Sequence, residues 1–589
     1  MTTESQLVQQ PQAFTDAETG GAQPPRARIR TVGDGAWYRR IVIGLLAVGV
    51  LAPVVLIIYQ SFLSGAFFDA SSHLTLGAYQ YVLTDSAFYE ALWTTIAVAV
   101  GMTVVAVPTG ALLAFLLTRT DIRWKPFLEI AVLVPMFISS IVLAFGYTVS
   151  VGPSGFISLL VRQALGWVPW NLYTVVGIIL VGGLGHVPYA YLYVSAAMRN
   201  LPTDLEEAAR ISGASIWRVS WDVTIPLVLP ALVFVTALNL LVGFEMFGVP
   251  LVLGDPNHIS VLTTYIYKLT TLFGVPTYQM MAVVAIIIVV LTLPMIFTQR
   301  RLLRHGRRYA TLGGKGALAT PLRLGTKGQV IALTIIGLWI FVSVVLPIGG
   351  IVLRTFVSAW GVDINLFNHL TLDNFAAIAE IPSLQRTVVN TILLASVGGA
   401  AAVLIYLLIA LAGHRNTGPS NTVLDYMVLL PRALPGLVIG LAFFWLFLFV
   451  PFLRPIRPTL IALFIAYLIV GLSYGLRLLQ GVLIQVEPEL EESARTIGAT
   501  IGRTWRDIVM PIVRPGVIGA WVLIMIIFIR DEATGVYLIG SGTEVIGPEM
   551  VTLLQTGAMD TIAALSFVSI ILTGVGLGLA LRLGARFHE

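Results

Sequence analysis

The sequence contains no cysteine and little charge: Asp, Glu, Lys and Arg make up 11% of its 589 residues. Without cysteine the chain can form no disulfide, thiolate metal site or cysteine nucleophile. Soluble domains usually carry about 25% charged residues, so this chain could not cover a water-exposed surface of its size. The composition therefore excludes a soluble enzyme and a disordered protein, and the 57% hydrophobic content indicates that lipid surrounds most of the chain.

Twelve stretches are apolar and long enough to cross a bilayer, which takes roughly 20 residues of helix. The sequence therefore predicts an all-α polytopic membrane protein with twelve transmembrane helices. The predicted spans are 41–62, 92–118, 128–149, 172–197, 226–248, 279–298, 328–355, 386–412, 424–450, 458–478, 516–535 and 560–582.

Basic residues concentrate on one side of the predicted spans. They are abundant in the N-terminal tail and after the second, fourth and sixth spans, whereas the opposite loops hold few. Because positively charged loops stay on the cytoplasmic side, we expect a multi-pass protein of the cell membrane with both termini inside. Residues 1–40 are polar and carry several Pro and Gly, so we expect a disordered cytoplasmic tail rather than a cleaved signal peptide.

An internal repeat divides the chain into two similar halves of six spans. Residues 205–230 and 490–515 agree at 13 of 26 positions without a gap, at an offset of 285. An even number of spans gives both halves the same orientation, so the repeat is parallel. The predicted divisions are a first half over 41–298 with its core at about 88–298, a basic cytoplasmic linker over 299–327, and a second half over 328–585 with its core at about 386–582.

The best-matched part of the repeat is a polar loop that follows the fourth span of each half. Acidic residues in its first helical turn interact favourably with the helix dipole, and small residues leave a face that another surface can approach. A glycine then ends the short helix in the left-handed conformation, and we expect a second short helix to stop at a proline. The two copies comprise Glu206, Glu207, Ala208, Ala209, Gly213 and Pro226, and Glu491, Glu492, Ser493, Ala494, Gly498 and Pro511.

These loops resemble the EAA loop of ABC importer permeases of the type I fold. Glu207-Ala208-Ala209 and Gly213 stand at the spacing of that motif, and the second copy repeats it with Ser493 in place of an alanine. The resemblance covers about 75–585 and leaves out the tail and the linker.

In that family the loop is the coupling helix that docks on a cytoplasmic ATPase. This sequence has no GxxxxGK(S/T) phosphate loop of its own. The resemblance therefore implies that a separate homodimeric ABC ATPase binds ATP and Mg, and that this chain is a permease subunit without catalytic residues or a cofactor. It also implies an extracytoplasmic substrate-binding protein as a partner. The chain should further contact the lipid bilayer, and we expect it not to bind nucleic acid.

The fusion of both halves into one chain resembles the ferric-iron importers, and also those for thiamine and 2-aminoethylphosphonate. The segment Phe244–Gly254 and the segment that begins at Arg530 look most like the iron group. Ferric iron is therefore the preferred cargo, and the other two remain alternatives.

Several polar residues fall within or beside the predicted spans, where ionisable groups are costly and are functional candidates. Glu245 lies late in the fifth span, and Asp531, with Glu532, matches it at an offset of 286. We expect these acids to face a cation path near its outer end, or alternatively to be interfacial anchors. Tyr189 and Tyr474 match at an offset of 285 and either line the path or pack helices. The seven histidines form no metal-spaced cluster, so no resident metal site is predicted.

Two other function classes remain to be separated from an importer. An ion-coupled secondary transporter can also have six plus six spans, but it has no ATPase to which a duplicated cytoplasmic loop would couple. A membrane-embedded enzyme would need a cluster of His, Asp or Glu at membrane depth, and the sequence indicates none.

Overall fold

A computed structural model describes residues 36–67, 69–201, 208–209, 211–270, 277–309, 322–361, 364–414 and 419–582. Within these residues the only extended pairing is three isolated β-bridges, and helices form almost all of the regular structure. Eleven helices are long and apolar enough to cross a membrane, and a twelfth span is a helix pair bent by 104°. The predicted all-α architecture of twelve spans is therefore confirmed.

The first half contains spans one to six, of which the third is interrupted. Its main helices are Ala36–Ser61, Ser86–Arg119, Lys125–Leu133 with Ser140–Val151 and Phe156–Leu165, Val175–Arg199, Ile225–Glu245, and Tyr278–Tyr309. Its shorter helices are Gly77–Thr84, Val134–Phe137, Ile216–Val219, Ser220–Thr224, Gly248–Gly254, Asp255–Asn257 and Leu262–Lys268.

The second half repeats this order in spans seven to twelve. Its main helices are Gly325–Ile340 with Leu346–Thr355, Pro382–Leu393 with Gly399–Gly413, Pro419–Leu429 with Gly436–Phe449, Leu460–Ile484, Met510–Arg530, and Met559–Arg582. Its shorter helices and helical turns are Phe341–Val345, Leu366–His369, Asp373–Glu380, Leu394–Gly398, Leu430–Ala433, Arg454–Ile456, Pro488–Thr496, Ile501–Thr504, Trp505–Val509, Thr534–Tyr537 and Ile546–Thr556.

The third span of each half is broken at corresponding prolines. Pro135 and Pro431, which match at an offset of 296, each lie in a 3₁₀ turn between two helices. Proline removes a backbone hydrogen bond and crowds the preceding turn, so the helix stops there. In the first half, a new helix begins at Ser140, where the Ser139 hydroxyl accepts a hydrogen bond from the Val142 amide. The prediction of one continuous helix over 128–149 was therefore wrong.

The first span of each half packs against the opposite half. Span one contacts spans eight and nine, where the Tyr38 hydroxyl donates to the Leu408 carbonyl at 2.8 Å. Span seven in turn packs on the helix Ser140–Val151, and the Ser150 hydroxyl donates to the Leu346 carbonyl at 2.6 Å. Buried apolar residues of both halves consequently form one continuous core.

The segment between the halves begins as a continuation of the span-six helix, whose membrane-crossing part is Tyr278–Thr298. The helix of span six continues to Tyr309, and span seven begins at Gly325. Leu322 forms a parallel bridge with Thr120, which joins the end of the linker to the loop after span two. Residues 310–321 lie outside the described part of the chain.

Candidate functional site: the paired loops and the interface between the halves

The two polar loops have the same backbone geometry. Gly213 and Gly498 have φ values of +81° and +87°. In each copy, the amide of the residue after the glycine donates to the carbonyl five residues earlier, at 3.0 Å. A Cβ added at either glycine would meet nothing within 4 Å. The glycine is therefore required by the left-handed backbone that ends the helix, and not by crowding.

The second short helix of each loop runs into the next span and does not stop at the proline. In the first copy Ile216–Val219 continues through a π turn, Ser220–Thr224, into Ile225–Glu245. The second copy follows the same course into Met510–Arg530. Pro226 and Pro511 are the second residues of these spans, where the wider π turn leaves room for a residue that has no N–H. The prediction that the helix ends at these prolines was wrong.

The loops expose apolar side chains. Ile211 and Ile497 are 87% and 86% exposed, and Ala208 and Ser493 are also exposed. Ala209 is half-buried and Ala494 is buried. Isolated exposed apolar residues need no explanation, but isoleucines at the tips of both copies of a polar loop suit contact with another protein surface. Glu206 and Glu207 lie outside the described residues.

The second loop is fixed to the end of span eight. Nε2 of His414 lies 3.0 Å from Oε1 of Glu491, and the His414 ring packs edge-on against Trp505 with centroids 6.0 Å apart. Glu492, the next residue, is exposed. His414 therefore connects the second loop to the end of span eight.

A second group of polar residues lies half-way along the spans, at the interface between the halves. Tyr189 is the fifteenth residue of Val175–Arg199, and Tyr474 is the fifteenth of Leu460–Ile484, so they occupy equivalent positions. Tyr474 is within electrostatic range of Tyr189, Tyr193, Glu245 and Arg432. It lies deep among protein atoms, yet 48% of its surface is accessible. A side chain can lie deep in a protein and still be accessible when it lines an opening. We infer that Tyr474 lines a gap between the two halves.

Glu245 and Asp531 do not occupy equivalent positions. The helices Ile225–Glu245 and Met510–Arg530 match at the offset of 285 that also relates the polar loops, so the counterpart of Glu245 is Arg530. Because Glu245 approaches Tyr474, it also lies half-way along the bundle and not near the outer end. The prediction of two matching acids at an outer mouth was wrong, because it aligned residue types one position out of register.

The acids after span eleven are hydrogen-bonded within the protein. Oδ1 and Oδ2 of Asp531 accept from the Thr534 amide and hydroxyl at 2.9 and 2.7 Å. The Glu532 carboxylate accepts from the hydroxyl of Ser140, which belongs to the other half. Glu245 differs, since its Oε1 is buried and has no hydrogen-bond partner in the described part of the chain. Asp531 and Glu532 therefore hold the loop after span eleven in place.

Contacts between the halves close this interface on the side away from the polar loops. Nε2 of Gln555 donates to the Tyr267 hydroxyl at 2.6 Å, and the Tyr267 ring packs near Phe247 and Tyr537. A cavity of about 280 Å³ beside these residues is lined by both halves and contains Asp255. Aromatic and amide contacts therefore separate the midpoint cluster from the surface on that side.

The sequence analysis did not assign Arg432 or Arg530 to the path. Tyr193 lies one turn after Tyr189, and Arg432 lies in the break of span nine. The sequence did contain signals for both arginines. Arg432 is a charged residue inside an apolar run, which marks a functional candidate, and the unbroken offset of 285 pairs Arg530 with Glu245.

Among the described residues, no group of three His, Cys, Asp or Glu side chains could hold a metal ion.

Comparison with known proteins identifies one family and several relatives. The family described as "Binding-protein-dependent transport system inner membrane component" matches residues 106–308 and 405–588. The ferric transport system permease protein FbpB of Actinobacillus pleuropneumoniae is 23% identical over 476 residues, which are 80% of this chain and 67% of that protein. A probable ABC transporter permease, y4fN of Sinorhizobium fredii, is 25% identical over 76% of this chain and 78% of its own length.

Another relative is a putative ferric transport system permease protein, FbpB 1 of Haemophilus influenzae, with 23% identity over 79% of this chain and 72% of that protein. A solved bacterial ABC transporter for alginate import has 17% identity and a TM-score of 0.38, and it covers 47% of this chain and 96% of its own. The family match falls once in each half and the relatives span both. The chain therefore belongs to the binding-protein-dependent transport system inner membrane components, as an ABC importer permease in which two permease halves are fused.

Proposed function

We propose that this chain is the permease through which a binding-protein-dependent ABC importer moves ferric iron inward. The observation that carries the proposal is the pair of loops that share sequence, left-handed glycine and closing hydrogen bond. A carrier driven by an ion gradient has no ATPase to contact. The duplicated docking loop therefore favours an ATP-driven importer over a secondary transporter.

The energy comes from a separate subunit. A homodimeric ABC ATPase binds ATP and Mg and contacts both loops, with one copy of the loop on each ATPase subunit. An extracytoplasmic substrate-binding protein delivers the cargo to the opposite side. This chain performs no catalysis, and both of its termini and the basic segment between the halves lie in the cytoplasm, as the distribution of Lys and Arg supports.

The cargo passes between the two halves. Tyr189, Tyr474 and Glu245 converge there from spans four, ten and five. An ionisable group at that depth is costly, which makes Glu245 a candidate for a role in the path. Ferric iron is supported by the names of two relatives that match more than three quarters of this chain. Asp531 and Glu532 hold the loop after span eleven in place, and this loop lies beside the path.

Uptake by the native host tests the cargo and the energy source together. We expect a strain that lacks this chain to lose most uptake of radioactive iron under iron limitation, and the wild-type gene to restore it. Uptake should persist with an uncoupler but stop when ATP is depleted. Unchanged iron uptake combined with a new requirement for thiamine, or with loss of growth on 2-aminoethylphosphonate, would replace iron by that cargo and leave the importer class intact.

A further inference from the structure

Three tyrosine hydroxyls face the gap between the halves without a protein partner. Tyr189, Tyr193 and Tyr474 lie within electrostatic range of one another. In the part of the chain that the structure describes, none of the three hydroxyls makes a hydrogen bond. Tyr193 and Tyr474 are 39% and 48% exposed although both lie deep in the protein. The gap therefore presents several free hydrogen-bond donors to whatever enters it.

Arg432 brings positive charge to this site without a hydrogen-bonded protein partner. Arg432 approaches Tyr193, Tyr474 and Glu245, and no described residue accepts a hydrogen bond from its guanidinium. It lies beyond salt-bridge distance of Glu245, since no ion pair joins the two within the described residues. Arg530 lies near His186 on the other side, and its Nε is buried without a partner in the described chain.

The cationic character belongs to the second half. Arg432 corresponds to Met136 at the offset of 296 that relates the two broken spans, and Arg530 corresponds to Glu245. Glu532 lies within electrostatic range of Arg530 and offsets that charge, whereas neither Asp531 nor Glu532 is among the groups that act on Tyr193 and Tyr474 beside Arg432. An arginine in an apolar span that is not hydrogen-bonded to protein needs an anion or water to satisfy its five N–H groups.

We propose that Arg432, together with the hydroxyls of Tyr189, Tyr193 and Tyr474, forms a transient site for an oxyanion at the midpoint of the path. The ligand is a phosphate, phosphonate or carboxylate group, which a guanidinium fork and phenol donors recognise. This rests on the proposed function and refines it: iron crosses in combination with an oxyanion and not as a bare cation. A bare Fe³⁺ beside Arg432 would be repelled in a medium that screens charge poorly.

Binding to the purified full-length chain in lipid discs tests the site. The probes are radioactive orthophosphate and radioactive citrate, each measured by equilibrium dialysis with and without Fe³⁺, so that the two kinds of oxyanion are distinguished. We expect saturable binding of at least one probe that falls about tenfold or more in Arg432→Gln. Arg432→Lys should keep part of the affinity, because it keeps the charge but loses the fork.

Two further variants distinguish loss of the site from misfolding of the protein. Tyr474→Phe removes only one hydroxyl and should weaken binding severalfold. Arg454→Gln is the matched control, because Arg454 lies in a short 3₁₀ helix away from the cluster and donates to the Leu448 carbonyl, so its binding should be unchanged. Equal binding by wild type, Arg432→Gln and Tyr474→Phe would overturn the site, and so would binding of Fe³⁺ alone that depends on Glu245.

The two proposals fail separately. If the strain without this chain still imports iron but the purified chain binds phosphate or citrate through Arg432, the oxyanion site stands and the iron cargo is wrong. If iron uptake needs the chain but neither oxyanion binds, the importer assignment stands and the oxyanion site is wrong.

Discussion

At the residue scale, one glycine in each polar loop allows the short helix to end where it does. Gly498 has a φ of +87°, which branched side chains adopt only at a cost of roughly 1–2 kcal/mol. The space around it is open, so a substitution there strains only the local backbone. A substitution at Gly498 should therefore affect the docking of the ATPase without preventing the spans from folding.

We therefore expect Gly498→Val to be inserted and folded but to retain little ATPase and to transport poorly. Gly498→Asn is the matched control, since asparagine enters the left-handed region more readily than other non-glycine residues, and it should retain most of both activities. The measurement is the amount of ATPase that co-purifies with each variant at equal permease yield. If the valine variant retains the ATPase as well as wild type, the turn is not part of the docking surface.

Sequence reasoning found the loops but only part of the central cluster. A polar segment that is repeated outside the membrane stands out, so the loop residues could be identified. Tyr189 and Tyr474 were found because they keep the offset of 285. Glu245 was paired with Asp531 because both are acids, whereas the helix ends pair it with Arg530. Which acids are already hydrogen-bonded, as Asp531 is to Thr534, depends on tertiary contacts that no spacing reveals.

At the element scale, the twelve spans could be predicted and their interruptions could not. Apolar length alone identifies a membrane helix. Proline is tolerated within such helices, so Pro135 and Pro431 did not by themselves indicate where spans three and nine would break. The breaks create room for the loops after spans five and eleven, and the helix Gly248–Gly254 packs against Ser140–Val151. Its counterpart Thr534–Tyr537 packs against Gly436–Phe449.

This packing leaves no room for a side chain at Gly440. A Cβ there would overlap the Thr534 backbone oxygen, and backbone cannot move aside as a flexible side chain would. We expect Gly440→Ala to destabilise the protein by about 1–3 kcal/mol, which is the usual cost of overpacking.

Gly481→Ala is the control for that prediction. Gly481 lies inside the helix of span ten with nothing within 4 Å of its would-be Cβ. Alanine should be neutral there or stabilise by up to about 1 kcal/mol. Thermal unfolding in detergent measures both variants, and equal midpoints for the two would contradict the close approach of the loop to span nine.

At the scale of the whole molecule, the halves are held together by exchanged first spans. Span one lies on spans eight and nine, and span seven lies on the first half through the contact of Ser150 with Leu346. The apolar core is continuous across the boundary. We therefore expect the halves to associate without their covalent connection.

We expect residues 1–313 and 314–589, co-expressed as separate chains, to assemble into a transporting complex. Pull-down through a tag on one fragment measures assembly, and iron uptake measures function. A first fragment that lacks residues 1–61 should capture much less of the second, because it loses the contacts of span one. Failure of the complete fragments to associate would show that the interface depends on the linker.

The most direct test of the central claim is a cross-link from each loop to the ATPase. The chain has no cysteine, so Ile211→Cys, Ile497→Cys and Phe452→Cys each introduce a single thiol at a position that is 87%, 86% or 79% exposed. In native membranes treated with a thiol-directed cross-linker, both loop positions should capture an ABC ATPase, identified by mass spectrometry. Phe452→Cys, on the proposed outer side, should not. Capture of no ATPase from either loop, or labelling of Ile211→Cys and Ile497→Cys by an impermeant maleimide added outside intact cells, would contradict the account.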